Sequence, residues 1–333
     1  MKKLAITMGD PYGVGPEIIV KALSSFQNIK KDCLSTVVIG DRVLLEGAIK
    51  FLKKPLKIKI LESSERPDLK PDAGTIRLID MGVVKRFKKF SLGRPTGDGG
   101  RASVVYIKKA VELALEKLVD GIVTAPISKE SLKLAGFKWQ GHTEMLAELT
   151  NTKEYAMMLV GGPLKVILVT IHTPLKKVSS LIKKNRIIKT IRLSMKACQI
   201  LGIKNPRIAV AGLNPHAGEG GLFGDEEIKE IIPSIIETQK EGIPVSGPYP
   251  ADSLFHRAYK GEFDIVVCMY HDQGLVPLKM IAFDKGVNLT VGLPFIRTSP
   301  DHGTAYDIAW KGIADPSSMI EAINLASNIK VDD

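Results

Sequence analysis

Arg207-Ile-Ala-Val-Ala-Gly-Leu-Asn-Pro-His216 decides how this chain folds and where its chemistry gathers. Ile208 to Ala211 is apolar without alternation, as a strand covered on both faces should be, and Gly212 ends the run a few residues before a histidine. The same order recurs in Lys165-Val-Ile-Leu-Val-Thr-Ile-His172 and in Asp264-Ile-Val-Val-Cys-Met-Tyr-His271. Further β-branched runs at Leu4–Thr7, Thr36–Ile39, Ile58–Leu61 and Gly121–Thr124 alternate with helical patterns such as Pro16–Ser24 and Ala102–Leu118. In the second helix Val105, Ala110, Val111, Leu115 and Leu118 fall on or near one face. This alternation predicts an α/β fold with a largely parallel sheet, in which ligands collect beyond the carboxyl ends of the strands. The segment from Lys50 to Gly100 is the most polar and irregular, and reads as surface loops and a peripheral part of the first domain.

At 333 residues the chain is long enough for two domains, and its 44% hydrophobic and 25% charged content is that of an ordinary globular protein. Cys33, Cys198 and Cys268 lie far apart without paired spacing, which argues against a disulfide framework and for a reducing compartment. The N-terminal apolar run is too short for a signal peptide, and no stretch approaches the length of a membrane-spanning helix. The expectation is a cytoplasmic protein without a membrane partner.

The net charge of +11 raises the question of nucleic acid. Between Glu154 and Glu219 there is no acidic residue, whereas eleven lysines and arginines from Lys165 to Arg207 account for the whole excess. Ile188, Ile191, Met195 and Cys198 recur there at helical spacing, so most of these cations read as one solvated helix face. No aromatic residue lies between Tyr155 and Phe223 to stack on bases, which sets nucleic acid aside.

His172, His216 and His271 each follow a strand, and neutral imidazoles from three strand ends suit one divalent cation with positions left open. Glu219, in the glycine-rich run after His216, reads either as a carboxylate orienting an imidazole or as a surface charge. Asp272 and Asp252 are further candidates to position the cation or accept a proton. Gly9-Asp-Pro-Tyr-Gly-Val-Gly-Pro-Glu17 matches neither the dinucleotide nor the Walker fingerprint and reads as a tight strand-to-helix turn. Gly141-His-Thr-Glu144 opens a helix with groups suited to an anion. Lys279, Asn288 and Arg297 would offer a point charge, an amide and a planar fork to phosphate or carboxylate.

Together these motifs resemble the 4-hydroxythreonine-4-phosphate dehydrogenase family of vitamin B6 biosynthesis. The match runs from Gly9–Glu17 through Thr124-Ala-Pro-Ile-Ser-Lys129, Gly141–Glu144, His172-Thr-Pro, Gly212–Gly221, Gly247–Asp252 and Tyr270–Gly274 to Gly286–Ala305. The resemblance implies two α/β/α lobes of the isocitrate and isopropylmalate dehydrogenase type with a cleft between them, one of residues 1–136 with 304–333 and one of residues 137–303. It implies that His172, His216 and His271 hold one divalent cation (zinc, magnesium or cobalt), shared across a homodimer. His142, Thr143, Lys279, Asn288 and Arg297 would then contact the small phosphorylated hydroxy-amino-acid substrate. Lys129, Asp252, Asp272 and Lys279 are the candidates to move the hydroxyl proton. NAD or NADP would lie at His302, Gly303, Thr304 and Asp307, in a segment that resembles the adenosine loop of the isocitrate and isopropylmalate enzymes. Tyr12, Ser128 and Ser253 depart from the common pattern without removing a ligand. Two other readings are a paralogue acting on a four-carbon sugar-acid phosphate such as threonate 4-phosphate, and a metal-dependent hydrolase or lyase.

Overall fold

The computed structural model describes residues 2–26, 34–61, 74–86 and 91–329. Its strands are β1 (Lys2–Thr7), β2 (Leu34–Gly40), β3 (Lys57–Leu61), β4 (Thr75–Asp80), β5 (Gly121–Thr124), β6 (Ala156–Gly161), β7 (Leu164–Leu168), β8 (Ile208–Ala211), β9 (Val245–Tyr249), β10 (Ile265–Cys268), β11 (Val287–Val291) and β12 (Ile296–Pro300). The chain divides into two units, Met1–Thr152 with Leu293–Asn328, and one built on Lys153–Gly292.

In the first unit the strands lie in the order β3-β4-β2-β1-β5-β12, every neighbouring pair parallel. Leu4, Ala5 and Ile6 are all buried, as are all four residues of β5, which requires cover on both faces. Helix Gly97–Leu115 packs on β1, β2 and β5, and helix Ser317–Asn328 on β12, β1 and β5. The first of these starts where Thr96 accepts a hydrogen bond from the Gly99 N–H, satisfying one of the amides a helix start leaves open.

In the second unit the order is β11-β6-β7-β10-β8-β9. β7, β10, β8 and β9 run parallel, while β6 is antiparallel to both β7 and β11. Leu164, Val166, Leu168, Ala209, Val266 and Cys268 form the middle of its core. Every parallel strand in this unit ends beside a residue singled out above: β7 before His172, β8 before His216, β10 before His271 and β9 before Asp252.

Two expectations are corrected. The unit limits fall at 152/153 and 292/293, not at 136/137 and 303/304, because helix His142–Leu149 packs on helix Gly97–Leu115 and β12 pairs with β5. The segment between Lys50 and Gly100 is not loops throughout: besides Lys57–Leu61 it holds β4, whose Ile76 and Leu78 are buried. Its residues 62–73 and 87–90, like Cys33, lie outside the described residues. No helix among the described residues is long and apolar enough to cross a membrane.

Candidate active site

In the second unit the His172 and His271 rings lie 5.6 Å apart, centroid to centroid. His271 begins helix His271–Ala282, and its Nδ1 is 2.7 Å from the Asp272 carboxylate. With Asp272 accepting from Nδ1, the other ring nitrogen keeps its lone pair for a cation, an arrangement common among metal-binding histidines. The donor chemistry therefore fits a divalent cation at His172 and His271. His216 stands on a left-handed turn with its ring 6.1 Å from Phe223. Among the described residues no three His, Cys, Asp or Glu groups of one chain gather as a complete cation site.

His271, Asp272, Leu275, Val276, Lys279, Met280 and Phe283, along one helix and just past its end, border a wide open surface hollow. Asn288 lies on β11 in register with Leu159. Asp252 is exposed in the first turn of helix Ala251–Tyr259, where its carboxylate accepts from the Ser253 N–H at 2.8 Å. Glu219 is exposed. The carboxylate that grips the His216 segment is instead Glu227, which takes the backbone N–H groups of Leu213 and Asn214 at 2.7 and 2.8 Å. Within Asp225-Glu-Glu227 it reads as one of a run of surface acids, so only its burial sets it apart.

In the first unit Arg297, on β12, is only 2% exposed and donates from Nη2 to the Thr124 hydroxyl at 2.7 Å. Burial pulls its guanidinium down to about 9, against the opposing pull of Glu144. His142, at the start of helix His142–Leu149, has a buried Nε2 without a hydrogen-bond partner. Burial first, and then the Arg297 charge, holds its imidazole well below the ordinary histidine range, so it is neutral at neutral pH. Thr143 is buried beside it. A buried cation, a hydroxyl and an imidazole nitrogen without a partner are groups that can together receive an anion. Lys129 is exposed at the start of helix Lys129–Leu134.

The loop after β12 is anchored on the first unit's N-terminal turn and helix. Gly9 takes φ +70° there, and a side chain at that position would strike the Pro126 carbonyl at 2.3 Å. The Tyr306 hydroxyl donates to Asp10 at 2.7 Å and lies 2.9 Å from the Ser131 hydroxyl. Thr304 accepts from the Val14 N–H at 3.0 Å. The buried Glu17 carboxylate accepts the N–H groups of Trp310 and Gly312, and Lys21 donates to the carbonyls of Gly312 and Ala314. His302, Gly303 and Asp307 are exposed on this tethered loop. Asp10, Glu17, Lys21 and Tyr306 escaped sequence reasoning because each is polar in a segment that reads as turn or helix surface.

The basic stretch finds acids from elsewhere in its unit. Lys183, Lys184, Lys189 and Arg192 lie within 3.0 Å of Glu230, Glu237, Glu154 and Glu241. The positive field is thereby partly cancelled.

The chain matches the family described as pyridoxal phosphate biosynthetic protein PdxA over residues 32–326. It is 47% identical to the 4-hydroxythreonine-4-phosphate dehydrogenase of Desulforapulum autotrophicum over 97% of this chain and 94% of that protein. It is 46% identical to the D-threonate 4-phosphate dehydrogenase of Cupriavidus necator over 98% and 96%. The crystal structure of the 4-hydroxythreonine-4-phosphate dehydrogenase of Klebsiella pneumoniae is similar at a TM-score of 0.87 and 42% identity, covering 98% of this chain and 97% of that one. On sequence and fold together, the chain belongs to the PdxA family of pyridoxal phosphate biosynthetic proteins.

Proposed function

We propose that this protein is a nicotinamide-linked dehydrogenase that oxidises 4-phosphooxy-L-threonine to 2-amino-3-oxo-4-phosphooxybutanoate, which loses carbon dioxide to give 3-amino-2-oxopropyl phosphate. The observation that carries the reading is the buried Arg297 with the unpartnered Nε2 of His142, a receptor for a phosphate ester inside a family of this chemistry. Arg297 offers a planar fork to phosphate oxygens, and neutral His142 adds one directed donor in the tautomer protonated at Nε2. Thr143, Lys279 and Asn288 complete the groups proposed to contact the substrate, fixing the carbon–hydrogen bond that breaks.

A divalent cation held by His172, His216 and His271 would supply Lewis-acid polarisation of the hydroxyl and of the ketone that replaces it. Asp272 orients His271, leaving Lys129, Asp252 and Lys279 among the groups proposed to take the hydroxyl proton. Of these, Lys279 borders the same open hollow as His271. NAD or NADP is proposed to lie against His302, Gly303, Thr304 and Asp307 and to accept the hydride. The partner proposed to complete the histidine set is a second copy of this chain. It would cover the apolar face of helix His271–Ala282, where Met280 is 83% exposed and Phe283, just beyond, 73%.

A second reading has specific support, because the Cupriavidus necator relative named for D-threonate 4-phosphate is as similar as those named for the amino acid. The two substrates differ in an amino or a hydroxyl group beside the carboxylate, while the phosphate and the oxidised carbon are shared. Formation of reduced nicotinamide, measured side by side on both esters, separates them. The main reading expects kcat/KM at least tenfold higher on 4-phosphooxy-L-threonine, and the reverse order would transfer the assignment to the sugar acid.

A further inference from the structure

The three histidine-bearing turns of the second unit are joined in series by buried side-chain hydrogen bonds. Thr170, two residues before His172, donates its hydroxyl to the Met269 carbonyl at 2.7 Å. The Met269 N–H donates to Gln273 Oε1 at 2.7 Å, and Gln273 Nε2 donates to the Gly212 carbonyl at 2.7 Å. Just beyond Gly212, Glu227 Oε1 accepts from the N–H groups of Leu213 and Asn214, and its Oε2 accepts from Asn214 Nδ2 at 2.9 Å. Thr170, Gln273 and Glu227 are each less than 9% exposed.

The segment this series reaches is an improbable one. From His216 to Gly220 all five residues are left-handed, with φ of 52°, 52°, 82°, 44° and 65°. His216, Ala217 and Glu219 carry a Cβ that disfavours such backbone, so the run persists only where its surroundings over-determine it. Glu227 meets that need from beneath, packed so closely on Gly218 that an added side chain would lie 2.8 Å from its Oε2. A fully satisfied buried polar network specifies one arrangement where apolar packing would tolerate several.

We propose that Gln273 and Glu227 are positioning residues that lock the turns bearing His172, His216 and His271 into the arrangement a divalent cation requires. Neither is proposed as a ligand. The inference rests on the histidine-cation reading above.

The test is a titration of chelator-stripped full-length protein with cobalt(II), followed by the visible absorption of imidazole-bound cobalt, for wild type, Gln273→Met and Glu227→Gln. Removing groups that orient ligands typically weakens metal binding about 10- to 100-fold. Gln273→Met, which deletes both of its hydrogen bonds at nearly constant volume, is expected to weaken cobalt at least tenfold and shift the band. Glu227→Gln keeps an acceptor for the Leu213 and Asn214 amides and should fall between it and wild type. Thermal melts establish that the variants are folded. If Gln273→Met loses its cooperative transition, Gln273→Glu, which still accepts from the Met269 N–H but opposes the Gly212 carbonyl, takes its place beside Glu227→Gln. Wild-type affinity and spectrum in the folded variants would overturn the positioning role. A wild type that takes up no cobalt would overturn the histidine-cation reading and this inference with it.

Discussion

Arg297 is a cation in a place where charge is costly unless an anion shares it. Arg297→Met is therefore expected to lower kcat/KM at least about 100-fold, chiefly through KM, while leaving the melting temperature unchanged or higher, since an apolar group of similar size suits a buried site. Inorganic phosphate should raise the melting temperature of wild type and not of the variant, and an equal rise in both would remove Arg297 from the receptor. His142 adds a pH signature. Its folded-state pKa lies well below 6.5, so below that pH the unfolded chain binds a proton that the fold refuses. Its contribution is therefore present above about pH 6.5 and lost as pH falls, at up to about 1.4 kcal/mol per pH unit. Burial raises Asp10, Glu17 and Asp41, which act in the opposite sense, so the informative quantity is the difference from His142→Gln. That variant should lose less stability between pH 7 and pH 5 than wild type in paired thermal melts. The three strand-end histidines were legible because an imidazole after an apolar run breaks a pattern. Glu227, Gln273 and Glu17 were not, because a buried carboxylate or amide on a helix is written in the same letters as an exposed one.

At the scale of elements, the loop after β12 and helix His271–Ala282 make separate predictions. The loop is pinned through Tyr306 to Asp10 and through Trp310 and Gly312 to Glu17, while His302, Gly303 and Asp307 face outward. Tyr306→Phe deletes a half-buried donor to the buried Asp10 carboxylate, a loss of about 1–3 kcal/mol, and should raise KM for the nicotinamide cofactor several-fold with KM for the phosphate ester unchanged. Equal shifts in both would detach this loop from cofactor binding. On the helix, Met280→Glu places a charge in an exposed apolar face. Light scattering should then report a single chain where the proposed pairing of two copies expects wild type to run at twice that mass, with activity lost in parallel. β12 shows why some elements evaded the sequence: Ile-Arg-Thr-Ser-Pro reads as loop, yet every residue is buried. Arg297 meets Thr124, and the Thr298 hydroxyl donates to the Ala322 carbonyl at 2.8 Å. Partners 24 or more residues away bury what local pattern would expose.

Across the whole molecule, strand–helix alternation was enough to foresee an α/β fold with largely parallel strands, and the family resemblance added its division into two lobes. It did not foresee the antiparallel β6, whose Ala-Met-Met-Leu-Val-Gly carries no direction, nor the limits of the units, which depend on which distant strand β12 joins. The acids that balance the basic stretch are likewise supplied only by the fold. A segment without its own acids finds them on Glu154, Glu230, Glu237 and Glu241 once the chain folds back. These exposed pairs add little stability but draw down the field that raised the question of nucleic acid. The central claim is oxidation of a phosphorylated alcohol at a cation held by imidazoles, and the most direct test is reduced-nicotinamide absorbance with 4-phosphooxy-L-threonine before chelation, after it, and after adding back a divalent metal. The account predicts full signal, none, and recovery. An undiminished rate in protein shown by elemental analysis to hold no metal would contradict it.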